Sequence, residues 1–197
     1  MLLAQALTGF NGPSTIVLAL PRGGVPVAYE TAQSLNAPLD VFVVRKLGAP
    51  GQPELALGAV AGGGVRALNH STIDALQIDD RTLARITDRE NAELARQEQA
   101  FRGARPFPDL RGRQVLLVDD GMATGASMLA AIAALRAHAP RAIVAAVPVA
   151  APDTFALVER HADAARALYQ PRHLQSVGKW YRDFHQVSDD EVRKLLA

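Results

Sequence analysis

The chain has 197 residues, no cysteine, and a net charge of +1 from 21 basic and 20 acidic residues. Its length fits one domain with a small appendage, and such a chain can bury a full core. The lack of cysteine excludes disulfides, thiolate zinc sites and cysteine nucleophiles. Apolar residues at 49% and charged residues at 21% exclude wholesale disorder, and the near-neutral charge argues against a strongly basic nucleic-acid binder.

No stretch is typical of an export signal or a membrane span. Residues 1–7 lack a basic region, and their apolar run is short. The most apolar stretch, residues 128–151, is interrupted by Arg136, Pro140 and Arg141. We therefore expect a cytoplasmic protein with no membrane partner.

Apolar runs alternate with helical patterns along most of the chain. The patterns predict strands at 15–20, 39–44, 115–118, 143–149 and 164–168, and helices at 25–35, 127–137 and 153–160. Strands that are apolar on both faces are typical of a parallel sheet covered on each side. The sequence therefore predicts an α/β fold with a doubly wound, mainly parallel five-stranded sheet and helices on both faces.

Other segments of this single predicted domain (1–197) stand outside the alternation. Residues 48–53, with two Gly and two Pro, predict a loop, and 55–61 with 65–68 predict a short hairpin. The charged pattern at 79–101 predicts a helix that is either a surface helix or a dimer contact. An aromatic segment at about 170–187 precedes a last helix, for which Ser188 and Asp189 are cap candidates.

The densest polar motif follows the strand predicted at 115–118. Asp119 and Asp120 come first, at the carboxyl edge where ligands bind in parallel sheets. A turn of small residues, 123–127, then leads into a helix, so backbone N–H groups, two hydroxyls and the helix N-terminus can face an anion. This turn suits a phosphate, and the carboxylates suit hydroxyl groups or a hydrated Mg²⁺. Phosphate beside vicinal hydroxyls indicates a 5-phosphoribosyl group.

The structural alternative for this motif is a plain strand-to-helix turn with a capping Asp. Other phosphate motifs are missing from the sequence, since it has neither G-x-x-x-x-G-K-[ST] nor a strand followed by G-x-G-x-x-G. The histidines are dispersed and lack metal-ligand spacing, so we predict no zinc site.

Residues Val115 to Ser127 resemble the PRPP-binding signature of the type I phosphoribosyltransferases, where PRPP is 5-phosphoribosyl 1-pyrophosphate. The signature has four apolar residues, two acids and a small-residue loop with Thr-Gly. The runs 18–28, 43–51 and 180–184 resemble a less characterised bacterial branch of that family. The resemblance implies that Asp119 and Asp120 bind the ribose hydroxyls. It implies a 5′-phosphate loop formed by Ala123, Thr124, Gly125, Ala126 and Ser127.

Two further segments are assigned to the pyrophosphate by the same resemblance. The pyrophosphate loop consists of Pro21, Arg22, Gly23 and Gly24. Its glycines let backbone N–H groups face an anion, and Arg22 offers a fork of donors. The family often has a non-proline cis peptide here, so we expect one near Arg22.

The family's flexible catalytic loop begins at Arg45 and Lys46. Lys46 is one of three lysines in the chain. Basic residues there neutralise the leaving pyrophosphate, and the closed lid excludes water. The loop and hairpin at about 45–68 form the candidate lid. The alternative is a solvated basic pair before a loop.

Trp180, Tyr181 and Phe184 occupy the place of the family's hood, which covers the acceptor. Flat rings suit a flat heterocycle, although core packing is an equal alternative for Trp180 and Phe184. The resemblance implies Mg²⁺-dependent transfer of the phosphoribosyl group from PRPP to a nitrogen acceptor such as a nucleobase-like heterocycle. The resemblance also implies that the metal enters with PRPP and contacts Asp119 and Asp120 through water.

Two alternatives to this reaction stay open. The first is a PRPP-binding regulator with little or no turnover, and the second is transfer to an acceptor that is not a base. Related proteins commonly pair, so a homodimer is possible, and no nucleic-acid partner is expected.

Overall fold

The structure is a computed structural model that describes residues 2–197 apart from the side chain of Glu54. Its strands within these residues are β1 (Thr15–Ala19), β2 (Leu39–Val41), β3 (Val44–Ala49), β4 (Gln52–Ala61), β5 (Val65–Leu68), β6 (Gln114–Val118), β7 (Ala142–Val149) and β8 (Ala164–Tyr169). Five of them form a parallel sheet in the order β2-β1-β6-β7-β8. β1 and β6 pair directly, from Thr15 opposite Gln114 to Ala19 opposite Val118. The loops that follow these two strands therefore begin side by side at one edge of the sheet.

Helices cover both faces of this sheet, which confirms the predicted fold class. They are α1 (Leu2–Leu7), α2 (Gly24–Leu35), α3 (His70–Ala75), α4 (Asp80–Arg102), α5 (Ala126–Arg136), α6 (Pro152–Glu159) and α7 (Asp189–Leu196), with 3₁₀ turns at Thr8–Phe10 and Val177–Trp180. Side chains alternate along each strand. Val17 thus belongs to a core cluster that includes apolar residues of α1, α2, α4 and α7, whereas Leu18 belongs to a second cluster that includes residues of α5 and α6. Each helix in residues 2–197 is too short or too polar to cross a lipid bilayer.

The segment after β2 differs from the prediction. The strand predicted at 39–44 is two strands, because β2 ends at Val41 and β3 leaves for an antiparallel sheet with order β3-β4-β5. The loop predicted at 48–53 is also wrong. β3 continues to Ala49, Pro50 and Gly51 form a two-residue turn, and β4 starts at Gln52. Glycine and proline here serve a tight hairpin, with Gly51 at φ +73°. The hairpin predicted from 55–61 and 65–68 is present as β4 and β5.

The charged helix α4 is held against the domain by a buried guanidinium. The Arg102 side chain is 4% exposed and pairs with Asp40 at 3.2 Å and with Glu98 at 3.0 Å. It also donates to the carbonyl oxygen of Val41 at 2.9 Å. Because these partners include β2, the end of α4 is fixed to the edge of the main sheet.

The last helix begins with a capping box, in which Ser188 is the cap residue and Asp189 is the first helical residue. The Ser188 hydroxyl accepts from the Glu191 N–H at 3.2 Å, and the Glu191 carboxylate accepts from the Ser188 N–H at 2.7 Å. We expect Ser188→Ala to lower the free energy of unfolding by about 1 kcal/mol in urea titration. Ser188→Thr should retain most of the stability, and equal losses in both variants would contradict this role of the hydroxyl.

Candidate active site

The acid pair lies directly after β6 and has no cationic partner among the described residues. The backbone N–H of Asp120 donates to Oδ1 of Asp119 at 2.8 Å. Burial, and then the neighbouring charge of Asp120, raise the pKa of Asp119, and burial raises the pKa of Asp120. Neither carboxylate forms an ion pair within the described part of the chain. Ionisation of both carboxyl groups is therefore unfavourable in the protein alone, and a cation or hydroxyl donors would stabilise the ionised forms.

The 21–24 loop, which follows β1, lies against this acid pair. A Cβ atom added to Gly23 would stand 2.0 Å from Oδ2 of Asp120. One added to Gly24 would stand 2.8 Å from the carbonyl oxygen of Val118. The peptide bond between Pro21 and Arg22 is cis, which confirms that expectation. The 21–24 loop thus lies so close to the end of β6 that a Cβ atom at position 24 would meet backbone atoms, whereas one at position 23 would meet the Asp120 side chain.

The 123–127 loop forms a small cavity beside the acid pair. The cavity has a volume of about 170 Å³ and is lined by Asp119, residues 121–128 and Val177. Gly125, at φ +71°, is the residue before α5, so the helix N-terminus faces this space. The Thr154 hydroxyl fixes the loop by donating to the carbonyl oxygen of Ala123 at 2.7 Å. The size of this cavity and the backbone N–H donors that line it suit one phosphate group.

Three basic residues predicted to share one role lie in different surroundings. Nη1 of Arg22 is 3.4 Å from Oδ1 of Asp189 on α7. Arg45 donates to Oε2 of Glu90 on α4, through Nε at 3.1 Å and Nη2 at 2.8 Å. Lys46 lines a groove of about 570 Å³ that also contains Ala126 and Ser127 of α5. Neighbouring residues on a strand point to opposite faces, so Lys46 borders the 123–127 loop while Arg45 contacts α4.

The aromatic segment covers the acid pair through Tyr181. Its hydroxyl donates to the carbonyl oxygen of Asp120 at 2.5 Å, and burial raises its pKa. Tyr181 and Phe184 line a cavity of about 450 Å³ together with Gly23 and Asp120. Trp180 instead stacks on Tyr169, at 5.8 Å between ring centres. Trp180 and Phe184 are 46% and 49% exposed, so the alternative that they pack in the core is wrong.

Removal of the Tyr181 hydroxyl tests whether its hydrogen bond to the Asp120 carbonyl oxygen positions the acid pair. We expect Tyr181→Phe to weaken PRPP binding about 2- to 10-fold, because one hydrogen bond contributes about 0.5–1.5 kcal/mol. Isothermal titration calorimetry measures the affinity. Tyr29→Phe, which removes a hydroxyl that accepts from Gln33 on the surface of α2, serves as the control. A loss of equal size in both variants would contradict the prediction.

Several cavity residues were missed by sequence reasoning. Pro26 and Val27 form an apolar wall, and Asp183, His185 and Gln186 lie at the rim. Pro26 and Val27 could have been found, because they directly follow the 21–24 loop. The rim residues follow no spacing rule that links them to the acid pair.

The rim contains an ion pair whose pH dependence is measurable. Nε2 of His185 is 3.0 Å from Oε1 of Glu191, and this contact raises the pKa of His185. Hydrogen bonds, from the Ser188 backbone and then from His185, lower the pKa of Glu191 to about 2. The Glu191 contribution to stability is present above its ordinary pKa and is lost as pH falls towards 2. The His185 contribution is present below its ordinary value of 6.5 and is lost as pH rises through its raised pKa.

We therefore expect Glu191→Gln to return the pKa of His185 towards its ordinary value. NMR titration of the His185 ring protons measures this change. An unchanged midpoint would show that Glu191 does not set the charge of His185, and His161, which bonds a carbonyl oxygen on α6, serves as an internal reference.

Together, these features define an α/β domain with three elements at one edge of the described sheet. They are a phosphate-sized cavity, two adjacent carboxyl groups without an ion-pair partner among the described residues, and a glycine-containing loop. Residues 1–168 match the family model described as "Phosphoribosyl transferase domain". The chain belongs to this family.

Relatives of known sequence or structure support the assignment. The chain is 46% identical over 194 residues to "Putative phosphoribosyl transferase MT0597" of Mycobacterium tuberculosis, which covers 98% of this chain and 44% of that protein. The relative named Rv0571c, from a second strain, gives the same values. The crystal structure of TT1426 from Thermus thermophilus has a TM-score of 0.89 and 43% identity, over 99% of this chain and 92% of that one.

The chain spans less than half the length of the curated relatives. The family model ends at residue 168, so the segment with Tyr181 and Phe184 lies beyond the matched residues.

Proposed function

We propose that this domain transfers the 5-phosphoribosyl group of PRPP to a nitrogen acceptor and releases pyrophosphate. The observation that carries the proposal is the contact of Gly23 with the carboxylate of Asp120, beside the 123–127 loop. It brings a candidate pyrophosphate loop, ribose site and 5′-phosphate loop to one sheet edge. PRPP has these three groups on a single ribose ring.

Each group of PRPP then has a chemical partner. The 5′-phosphate takes the backbone N–H groups of residues 123–127 and the hydroxyls of Thr124 and Ser127. The ribose hydroxyls donate to Asp119 and Asp120. The pyrophosphate takes the backbone N–H groups of Arg22 and Gly23 and the Arg22 guanidinium, because the Gly24 N–H already donates to the carbonyl oxygen of Leu20. Lys46, in the groove beside the 123–127 loop, adds positive charge. Preorganised donors of this kind stabilise the charge that develops on a leaving group.

A divalent cation fits the donor set of this site. Two adjacent, largely buried carboxylates without a basic partner among the described residues are electrostatically unfavourable, as the raised pKa of each carboxyl indicates. Carboxylate oxygens are the ligands that Mg²⁺ prefers, usually with several waters retained. Asp119 and Asp120 would hold Mg²⁺ through water, and when bound it neutralises charge on the leaving pyrophosphate.

The acceptor has a place in the cavity of about 450 Å³ beneath Tyr181 and Phe184. Their rings lie 5.2 Å apart, between centres, and Pro26 and Val27 form the opposite apolar wall. Such walls favour a flat heterocycle. For transfer to a ring nitrogen, the acceptor cavity and the proposed PRPP site would share a border at Asp120 and Gly23.

Pyrophosphate release from Mg²⁺ and PRPP tests the proposal. We would measure it across purines, pyrimidines and other nitrogen heterocycles, with Asp119→Asn/Asp120→Asn as the inactive control. Release that depends on one acceptor class supports the transferase. Tight PRPP binding without release would favour the regulator, and absence of PRPP binding would exclude both.

A further inference from the structure

A second concave site lies between the β3–β4 hairpin and α4. Its volume of about 550 Å³ is typical of small-molecule sites. The polar residues that line it are Arg45, Lys46, Arg85, Arg89 and Glu90. Its lining residues are absent from the cavity beneath Tyr181 and from the phosphate-sized cavity, and it shares Lys46 with the groove that contains Ala126 and Ser127.

Positive charge in this site exceeds negative charge. Glu90 is the one carboxylate among the described lining residues, and it is buried. Its Oε2 accepts from Arg45, and its Oε1 accepts from Nε of Arg89 at 3.0 Å. Arg85 forms no ion pair with any side chain that the structure describes. Three guanidinium groups therefore face one carboxylate among the described lining residues, an excess of two positive charges.

The guanidinium groups and the small wall residues of this site suit a phosphorylated anion. Guanidinium groups match phosphate oxygens with two parallel hydrogen bonds, and Glu90 holds two of these groups in fixed orientations. The opposite wall is the Gly48–Pro53 hairpin, whose small residues let a ligand approach the backbone. A bulge interrupts the β3–β4 pairing at Leu47, Gly48 and Ala49. We propose that this cavity binds a small polyphosphate anion at a site separate from that of PRPP.

Binding there would connect two elements. Arg45 belongs to β3, and Arg85 and Arg89 belong to α4, so one polyphosphate contacts both. The hairpin that carries Lys46 would then be fixed against α4. The ligand is free oligophosphate or the phosphate chain of a nucleotide, because the recognised chemistry is the same.

Calorimetry with inorganic tripolyphosphate and with ATP tests the site in the whole chain. We expect Arg85→Gln/Arg89→Gln to weaken tripolyphosphate binding at least about 10-fold, because the double variant loses the charge-assisted hydrogen bonds of two guanidinium groups to phosphate oxygens. PRPP affinity should stay unchanged. Arg81→Gln/Arg111→Gln removes the same charge from exposed positions outside the cavity and should change tripolyphosphate binding less than about 2-fold. Hydrogen exchange of residues 44–53 should slow when tripolyphosphate is bound.

The remaining outcomes are each decisive. Tighter binding of ATP than of tripolyphosphate, with the same dependence on Arg85 and Arg89, supports a nucleotide, and equal binding supports recognition of the phosphate chain alone. Equal weakening in the two double variants would overturn the proposal, and so would loss of tripolyphosphate binding in Asp119→Asn/Asp120→Asn. If PRPP fails to bind while tripolyphosphate binding depends on Arg85 and Arg89, the proposed transferase fails and this second site stands.

Discussion

Asp119→Asn/Asp120→Asn is expected to weaken PRPP binding at least about 100-fold while leaving the protein at least as stable as the parent. The loss of affinity follows because each amide replaces a charged acceptor of ribose hydroxyls and removes the charge that attracts a divalent cation. The stability follows from the pKa shifts. Both carboxyl pKa values are raised in the folded protein, so their ionised forms oppose folding at neutral pH. Calorimetry and thermal unfolding measure the two effects.

A surface aspartate provides the opposite control. Oδ2 of Asp163 is 2.7 Å from Nη1 of Arg136 and also accepts from the Ile143 N–H. Burial alone would raise the pKa of Asp163, but these hydrogen bonds lower it overall. Asp163→Asn should therefore reduce stability and leave PRPP affinity unchanged. If the acid-pair variant lost stability instead, the unpaired carboxylates would have a structural role that their geometry does not indicate.

Local patterns were sufficient for the fold and for the centre of the candidate site. The parallel strands were predictable because their residues are apolar on both faces, as at Val115–Val118. The acid pair and the 123–127 loop are contiguous in sequence, and β1 pairs with β6, so the 21–24 loop adjoins them. The roles of these residues toward PRPP stay predictions.

Long-range pairing of polar side chains was beyond sequence reasoning. Arg45 and Glu90 are 45 residues apart, and Arg22 and Asp189 are 167 residues apart, and neither pair follows a periodic pattern. The hairpin at 48–53 was missed because Gly and Pro are typical of both loops and tight turns. In each case the missing information was which surfaces the tertiary fold brings together.

These pairings change the electrostatic account of the site. The resemblance seen in the sequence assigns Arg22, Arg45 and Lys46 to the leaving pyrophosphate, beside Asp119 and Asp120. In the structure, Arg22 contacts Asp189 and Arg45 contacts Glu90, so the acid pair is left without either cation. Arg22 is part-exposed, and its contact of 3.4 Å with Asp189 is long, so a pyrophosphate can compete for it. Under the proposed function, we expect the positive charge that stabilises the ionised acid pair to arrive with the ligand.

Gly23→Ala and Gly24→Ala should separate function from stability within one loop. The added methyl group at position 23 meets the carboxylate of Asp120, at 2.0 Å from Oδ2 and 2.9 Å from Cγ, and that side chain can rotate away. We expect PRPP affinity to fall at least about 10-fold, because the ribose acceptor is displaced, with an unfolding free energy close to that of the parent. The added methyl group at position 24 meets backbone atoms, the carbonyl oxygen of Val118 at 2.8 Å and Cα of Asp119 at 2.9 Å.

Backbone atoms cannot rotate away, so Gly24→Ala should lower the unfolding free energy by about 1–3 kcal/mol, the usual effect of overpacking. Gly9→Ala is the matched control, since a Cβ atom there meets nothing within 4 Å. Urea unfolding and calorimetry on the three variants separate the effects. If Gly23→Ala bound PRPP with the affinity of the parent, the contact between the 21–24 loop and Asp120 would not position the ribose site. The observation that carries the transferase proposal would then no longer support it.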